Sequence, residues 1–173
     1  RRPRKPLEYA LPVTRQLWAP WRLEYVVDAD RQDGCIFCLA QASDDRESWL
    51  VVHVAEHAFV MLNKFPYSSG HAMVAPRRHV GAFGGLTDEE ALAVHRLGEQ
   101  TIAALEALYG PEGFNLGWNI GRVAGAGVLG HVHLHVVPRW AGDTNFMPVL
   151  ADVKVMPEHL LETRRKLAES WPK

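Results

Sequence analysis

Cysteine is scarce in this 173-residue chain: there are two, both inside "CIFC" as Cys35 and Cys38. A bridge closed over two residues would restrain almost none of the unfolded chain, so a disulfide-built scaffold is excluded. Excess charge of either sign is also lacking. Nineteen Lys and Arg against 20 Asp and Glu leave a net charge of −1, and no overall basic field invites nucleic acid or an acidic lipid surface. There is no apolar run long enough for a membrane span and no apolar segment of the secretory kind at the start. The expectation is a cytoplasmic protein with neither a nucleic-acid nor a membrane partner. Residues 1–16, beginning with the basic, proline-broken "RRPRKP", read as a flexible arm. Residues 17–173 read as one domain with a C-terminal extension, 47% of the whole chain being hydrophobic, which is ample for a core.

What is present has clear periods. "LWAPWRLEYV" (17–26) suits a segment packed on the body or on a second subunit. Residues 49–76 predict three strands, near Trp49–Val54, Ala58–Asn63 and His71–Ala75, with Pro66, Ser68, Ser69 and Gly70 marking the second turn. From 86 to 111 the period changes. Thr87 and Glu90 form a capping-box pair, Val94, Leu97, Thr101, Leu105 and Leu108 make one helical stripe, and Gly110-Pro111 ends it. "FNLGWNIG" (114–121) predicts a strand with Phe114, Leu116, Trp118 and Ile120 on an apolar face. A last amphipathic stretch, 157–171, places Leu160, Leu161, Leu167, Ala168 and Trp171 inward, while His95 and His159 fall on helix surfaces. The order predicts an α+β fold, an antiparallel sheet of about five strands covered by one long helix, with a C-terminal helix.

Of the nine histidines, three stand at alternate positions in "GHVHLHVVPRW" (130–140). On a strand His131, His133 and His135 share one face while Val132, Leu134 and Val136 share the other. Two chemistries use such a face. Imidazole nitrogens on alternate positions bind metal. A neutral imidazole also attacks phosphorus, provided one nitrogen is free and the other is held by an acceptor. The glycines of "AGAGVLG" (124–130) favour phosphorus, because such a loop lets backbone N–H groups approach an anion. For Cys35 and Cys38 the spacing leaves half a metal site, a plain reduced pair and a redox pair open.

The triad "HVHLHVV" (131–137) fits H-φ-H-φ-H-φ-φ, φ being hydrophobic, at all seven positions. Together with "CIFC", "LNKFPYSSGHAMVAPRRHV" (62–80) and the glycine loop, it makes residues 17–150 resemble the histidine triad (HIT) superfamily. The resemblance implies a small α+β domain that pairs into a homodimer and works as a nucleotidyl hydrolase or transferase. It implies that His133 attacks the α-phosphorus, that His135 contacts phosphate and assists the leaving group, and that His131 orients the site. Asn63 would bind ribose and Asn119 would lie near phosphate. Cys35, Cys38, His79 and His131 would hold a structural Zn2+, and no organic cofactor is expected.

One departure bears on the substrate. Many members carry glutamine and a hydroxyl residue in the pre-triad loop, whereas this loop reads "GAGVLG" and is one residue longer. Phosphate contact would then fall to the backbone of Gly125, Ala126 and Gly127. "PRWAGDTNFMPV" (138–149) with "LWAPWR" (17–22) resembles the bacterial branch that splits diadenosine tetraphosphate with inorganic phosphate as acceptor, with Arg139 or Arg22 available to a polyphosphate. The substrate expected is a purine nucleotide conjugate, first a dinucleoside polyphosphate. The alternatives are a Hint-like nucleoside phosphoramidate hydrolase, a nucleotide sensor with little turnover, and a hydrolase using the triad as catalytic metal ligands.

Overall fold

The computed structural model describes residues 34–143 and 157–172. The basic arm, the 17–26 segment with Arg22, and residues 144–149 of the post-triad stretch lie outside them. Helix α1 spans Ile36–Ala42, followed by strands β1 (Val51–Val54), β2 (Ala58–Leu62) and β3 (Ala72–Pro76). Then come the long helix α2 (Asp88–Tyr109), β4 (Gly113–Trp118), β5 (Leu134–Arg139) and α3 (Leu160–Glu169). The strands form one antiparallel sheet in the order β1-β2-β3-β5-β4, the α+β arrangement expected.

Alternation divides that sheet into two unlike faces. On one, Val52, Val60, Val74, Leu134 and Val136 pack with Val94, Leu97 and Leu105 of α2 and Leu167 of α3. Each such aliphatic side chain withdrawn from water contributes about 1.5–3 kcal/mol. Helix α2 starts where its sequence says it should: the Thr87 hydroxyl accepts from the Glu90 N–H and the Glu90 carboxylate accepts from the Thr87 N–H. It stops at Gly110, whose left-handed backbone (φ 53°) suits glycine. On the other face Phe37 and Ala40 of α1 cover Val51, Phe59, Met61, Met73 and Ala75.

Two expectations need correction. The apolar face expected over 114–121 is only partly covered: Phe114 and Trp118 pack on the core, whereas Leu116, on this edge strand, is 49% exposed and Ile120, past the end of β4, is 54% exposed. In α3 Leu161 is exposed while Leu160 and Ala168, with Trp171 just past its end, reach the core. His159 is exposed, as expected, and is also the N-cap of α3, its Nδ1 accepting from the Leu161 N–H at 3.3 Å. Helix α1 had no periodic signal in the sequence. It is two turns long and its N-cap, Cys35, makes no side-chain capping bond.

Candidate functional site: two imidazole clusters on one sheet face

The triad begins before the strand that carries it. Paired β5 starts at Leu134, so only His135 lies in the ladder. His131–His133 form an irregular lead-in held by the Val132 N–H to the Val80 carbonyl at 2.8 Å. The ladder cannot extend across from Pro76, which has no N–H to give. Its carbonyl turns instead to the His131 ring, accepting from Nε2 at 2.8 Å. All three rings are buried, and His133 and His135 stand edge to face at 4.8 Å.

A carbonyl can only accept, so each such contact places a proton. His131 carries its hydrogen on Nε2 and turns the Nδ1 lone pair toward Cys35 Sγ (3.3 Å) and Cys38 Sγ (3.6 Å). His79 Nδ1 lies 3.3 Å from Cys38 Sγ, and the four donor atoms all fall within 4.8 Å of one another. Tetrahedral zinc with bonds of about 2.0–2.3 Å needs donors roughly 3.4–3.8 Å apart, so closure requires shifts of about an ångström. The cysteines occupy the first turn of α1, three residues apart and on one side. His79 follows β3, and a Cβ at Gly130 would meet its Nε2 at 3.2 Å, so glycine is what lets that ring lie against the chain. Burial and the neighbouring Cys35 push the Cys38 thiol up to about 11. Two thiols this close gain from a cation that would let them ionise. Arg78 steadies the turn bearing His79, donating to both Glu90 carboxylate oxygens (2.8 and 2.7 Å) and to the Gly85 carbonyl. The donor set therefore fits a closed four-ligand metal centre.

His133 has the opposite arrangement. Its Nδ1 donates to the His131 carbonyl at 2.9 Å, which leaves the Nε2 lone pair unprotonated. Burial lowers its pKa, the carbonyl bond opposing this in part, and the ring of Phe37 packs against it at 4.7 Å. A neutral, oriented nitrogen in a largely dry setting is the form a nucleophile requires.

His135 is wired through a residue to which the sequence reading gave no chemistry. The Tyr67 N–H donates to His71 Nδ1 at 3.0 Å, so the neutral His71 ring bears its hydrogen on Nε2. That nitrogen lies 2.9 Å from His135 Nδ1. His135 Nδ1 then accepts, and its proton sits on Nε2. Asn119 Nδ2 lies 3.3 Å from that Nε2 and 3.5 Å from the Gly125 carbonyl; turning the amide over would present Oδ1 to the ring proton. His71 is 1% exposed. In the sequence it merely opens a predicted strand, one residue past a turn glycine, and its partner on β5 lies 64 residues away.

Asn63 is both a turn former and a wall of the site. Its Oδ1 accepts from the Phe65 N–H at 2.9 Å, and its Nδ2 lies 3.5 Å from His71 Nδ1. Next to it a cavity of about 630 Å³ opens between α1, residues 48–50 ahead of β1, β2, β3 and the start of α3. Ile36, Trp49, Met61, Phe65, Met73 and Leu160 supply its apolar walls. Met61 pairs with Met73 and Met73 with His135 across the sheet, so the cavity abuts the triad. The pre-triad loop forms a 3-10 turn at Arg122–Ala124. That turn takes up the N–H groups of Gly125 (to Arg122 O, 3.0 Å) and Ala126 (to Gly121 O, 3.3 Å). The expected cradle of three N–H groups is thereby narrowed, Gly127 alone contributing no bond to the turn. Arg139 is tied to Asp143 and to Asn115 Oδ1 at 2.8 Å, engaged at the far end of β5 from the histidines.

The HIT domain family model matches residues 47–142. The chain belongs to the HIT family. It is similar to the AP-4-A phosphorylase of Mycobacterium tuberculosis, 37% identical over 166 residues that cover 91% of this chain and 84% of that protein. Among solved structures, a hypothetical histidine triad nucleotide-binding protein from Sulfolobus tokodaii superposes with TM-score 0.63 at 26% identity, over 79% of this chain and 91% of that one. A Zn-bound histidine triad family protein from Mycobacterium smegmatis shares the fold at TM-score 0.57 and 21% identity, over 85% and 91%. This HIT protein is an enzyme of the family's nucleotide hydrolase and transferase class. Among its described residues no helix is long and apolar enough to cross a membrane.

Proposed function

We propose that this HIT enzyme cleaves a dinucleoside polyphosphate, diadenosine tetraphosphate being the first choice, with inorganic phosphate as the acceptor. The observation that carries the reading is the 2.9 Å bond from His133 Nδ1 to its own chain at His131, which leaves Nε2 as the one basic atom of that ring. The nucleoside would occupy the 630 Å³ cavity beside Asn63, a size within the usual range for small-molecule sites. There Asn63 would meet ribose hydroxyls and the α-phosphorus would face the triad.

In the first half-reaction the Nε2 lone pair of His133 bonds to the α-phosphorus and the bond to the bridging oxygen breaks, releasing ATP. His135 Nε2–H donates to the phosphate and departing oxygens, its orientation fixed by His71 and Asn119. In the second half-reaction an oxygen of inorganic phosphate bonds to the same phosphorus, the P–N bond breaks, and ADP leaves with His133 restored. Burial of His133 keeps both forms of the ring away from water. Cys35, Cys38, His79 and His131 would hold a structural zinc ion, whose contribution is to pin α1, and with it Phe37, against the triad.

The AP-4-A phosphorylase name of the tuberculosis relative supports this choice of substrate and acceptor. The open edge of β4, with Leu116 and Ile120 uncovered and Phe83 against Trp118 beside them, supports a homodimer. The cytoplasm is the compartment proposed. Incubation with diadenosine tetraphosphate tests the reading: ATP plus ADP are expected only when phosphate is supplied. AMP formed without phosphate would make the enzyme a hydrolase, and turnover confined to adenosine phosphoramidates would overturn the polyphosphate assignment.

A further inference from the structure

The cavity is not built by the sheet alone. Its outer wall comes from the start of α3, where His159, Leu160 and Leu161 line it, a segment beyond the family-matched residues 47–142. The aromatic, aliphatic and thioether walls can grip the faces of a flat ring but give it no direction. Direction needs hydrogen-bonding groups, and the polar members of the lining are Ser48, Asn63, Lys64 and His159. Asn63 is committed at the triad end, beside His71.

His159 is oriented by its own helix. The Leu161 N–H, which can only donate, meets Nδ1 at 3.3 Å. The hydrogen of the neutral ring is therefore on Nε2, and the N-cap bond holds the ring in place as it lines the cavity. An oriented donor on an apolar wall matches an acceptor nitrogen on the edge of a purine, the N1, N3 or N7 type of atom. We propose that His159 is a specificity-determining residue of this enzyme, donating Nε2–H to one ring nitrogen of the bound purine. The inference rests on the nucleotide reading of the cavity and adds the atom by which the base is read.

The test is equilibrium binding of AMP and of its 1-deaza, 3-deaza and 7-deaza analogues, each lacking one acceptor nitrogen, to the wild-type protein and to His159→Ser. Serine retains an N-cap acceptor while removing the ring, and the thermal midpoint is expected to stay in place. The wild type is expected to bind one of the three analogues about 3- to 10-fold more weakly than AMP, the measure of one neutral hydrogen bond. His159→Ser is expected to bind AMP as weakly as the wild type binds that analogue and to distinguish none of the four. An unchanged AMP affinity in His159→Ser overturns the proposal and leaves the nucleotide reading intact. So does an equal loss for all four ligands with the wild-type preference preserved, which would mark a loosened wall. Failure of the wild type to bind AMP at all would remove the nucleotide reading itself, and this inference with it.

Discussion

His131 and His133 are two residues apart, buried on the same lead-in and equally close to Phe37 within half an ångström, yet they present opposite nitrogens. In His131 the Pro76 carbonyl takes Nε2–H and frees Nδ1 for the cysteines. In His133 the His131 carbonyl takes Nδ1–H and frees Nε2. A backbone acceptor chooses the tautomer, and the tautomer suits each ring to the chemistry proposed for it, metal ligation for His131 and attack on phosphorus for His133. Residue type is the same in both; what differs is which carbonyl each ring can reach.

The largest way to break this pair is at the nucleophile. His133→Ala is expected to reduce turnover of diadenosine tetraphosphate by a factor of about 10³ or more, as loss of a covalent nucleophile does. AMP affinity should change little, and kinetics alongside calorimetry would check both. Activity within tenfold of wild type would refute the assignment.

Disrupting the proposed zinc centre breaks the other member. Chelation, or Cys38→Ser, is expected to cost about 3 kcal/mol or more of folding stability, read as a thermal midpoint lower by roughly 6–12 °C. Hydrogen exchange should locate the loss in α1 and the 129–133 segment. A catalytic metal predicts instead that activity disappears while the midpoint stays.

The difference between the two imidazoles sharpens at His135, whose proton is set by a third ring. His71→Phe leaves His135 Nδ1 without its donor, and kcat should fall roughly 10- to 100-fold, within the range for acid–base assistance. Retention of wild-type kcat by that variant would make the His71–His135 contact mere packing.

The smallest effects lie on the helix side of the sheet, where neither tautomer matters. Thr87→Ala should cost about 1 kcal/mol by loss of the cap, with kcat unaltered, as thermal melts and steady-state rates would show. Its partner Glu90 has a pKa lowered chiefly by its hydrogen bonds to Arg78, burial opposing. A carboxylate whose folded pKa is depressed stabilises the fold above its ordinary range near 4.5, and that stability is lost as pH falls through the folded value. Acid melts of wild type and Glu90→Gln should therefore differ most above the ordinary carboxylate value and converge as pH falls below it toward the depressed folded value.

The aliphatic face was legible because its signals are local: a capping box, a stripe at helical spacing, and β-favouring runs bounded by turn residues in β2 and β3. The residues proposed as metal ligands and as nucleophile stood out through a family resemblance, and the first four do come together, yet spacing alone left "CIFC" with three readings. What escaped depended on distant partners. Helix α1 has no periodic stripe, being held by Phe37 against the sheet and by its cysteines against His79 and His131. His71 becomes informative only when β3 and β5 pair and bring Nε2 to 2.9 Å from His135. The glycine loop reads the same whether its N–H groups await an anion or close a 3-10 turn. His159 gained its place only from the packing of α3 beside the cavity.

Peptide mapping of a rapidly quenched reaction addresses the nitrogen assignment most directly. With diadenosine tetraphosphate and no phosphate, a base-stable, acid-labile adenylyl group should accumulate on the peptide bearing His133, attached at Nε2, and should vanish as ADP forms when phosphate is added. Turnover with no adenylylated peptide, or with the group on His135 or His131, would contradict it.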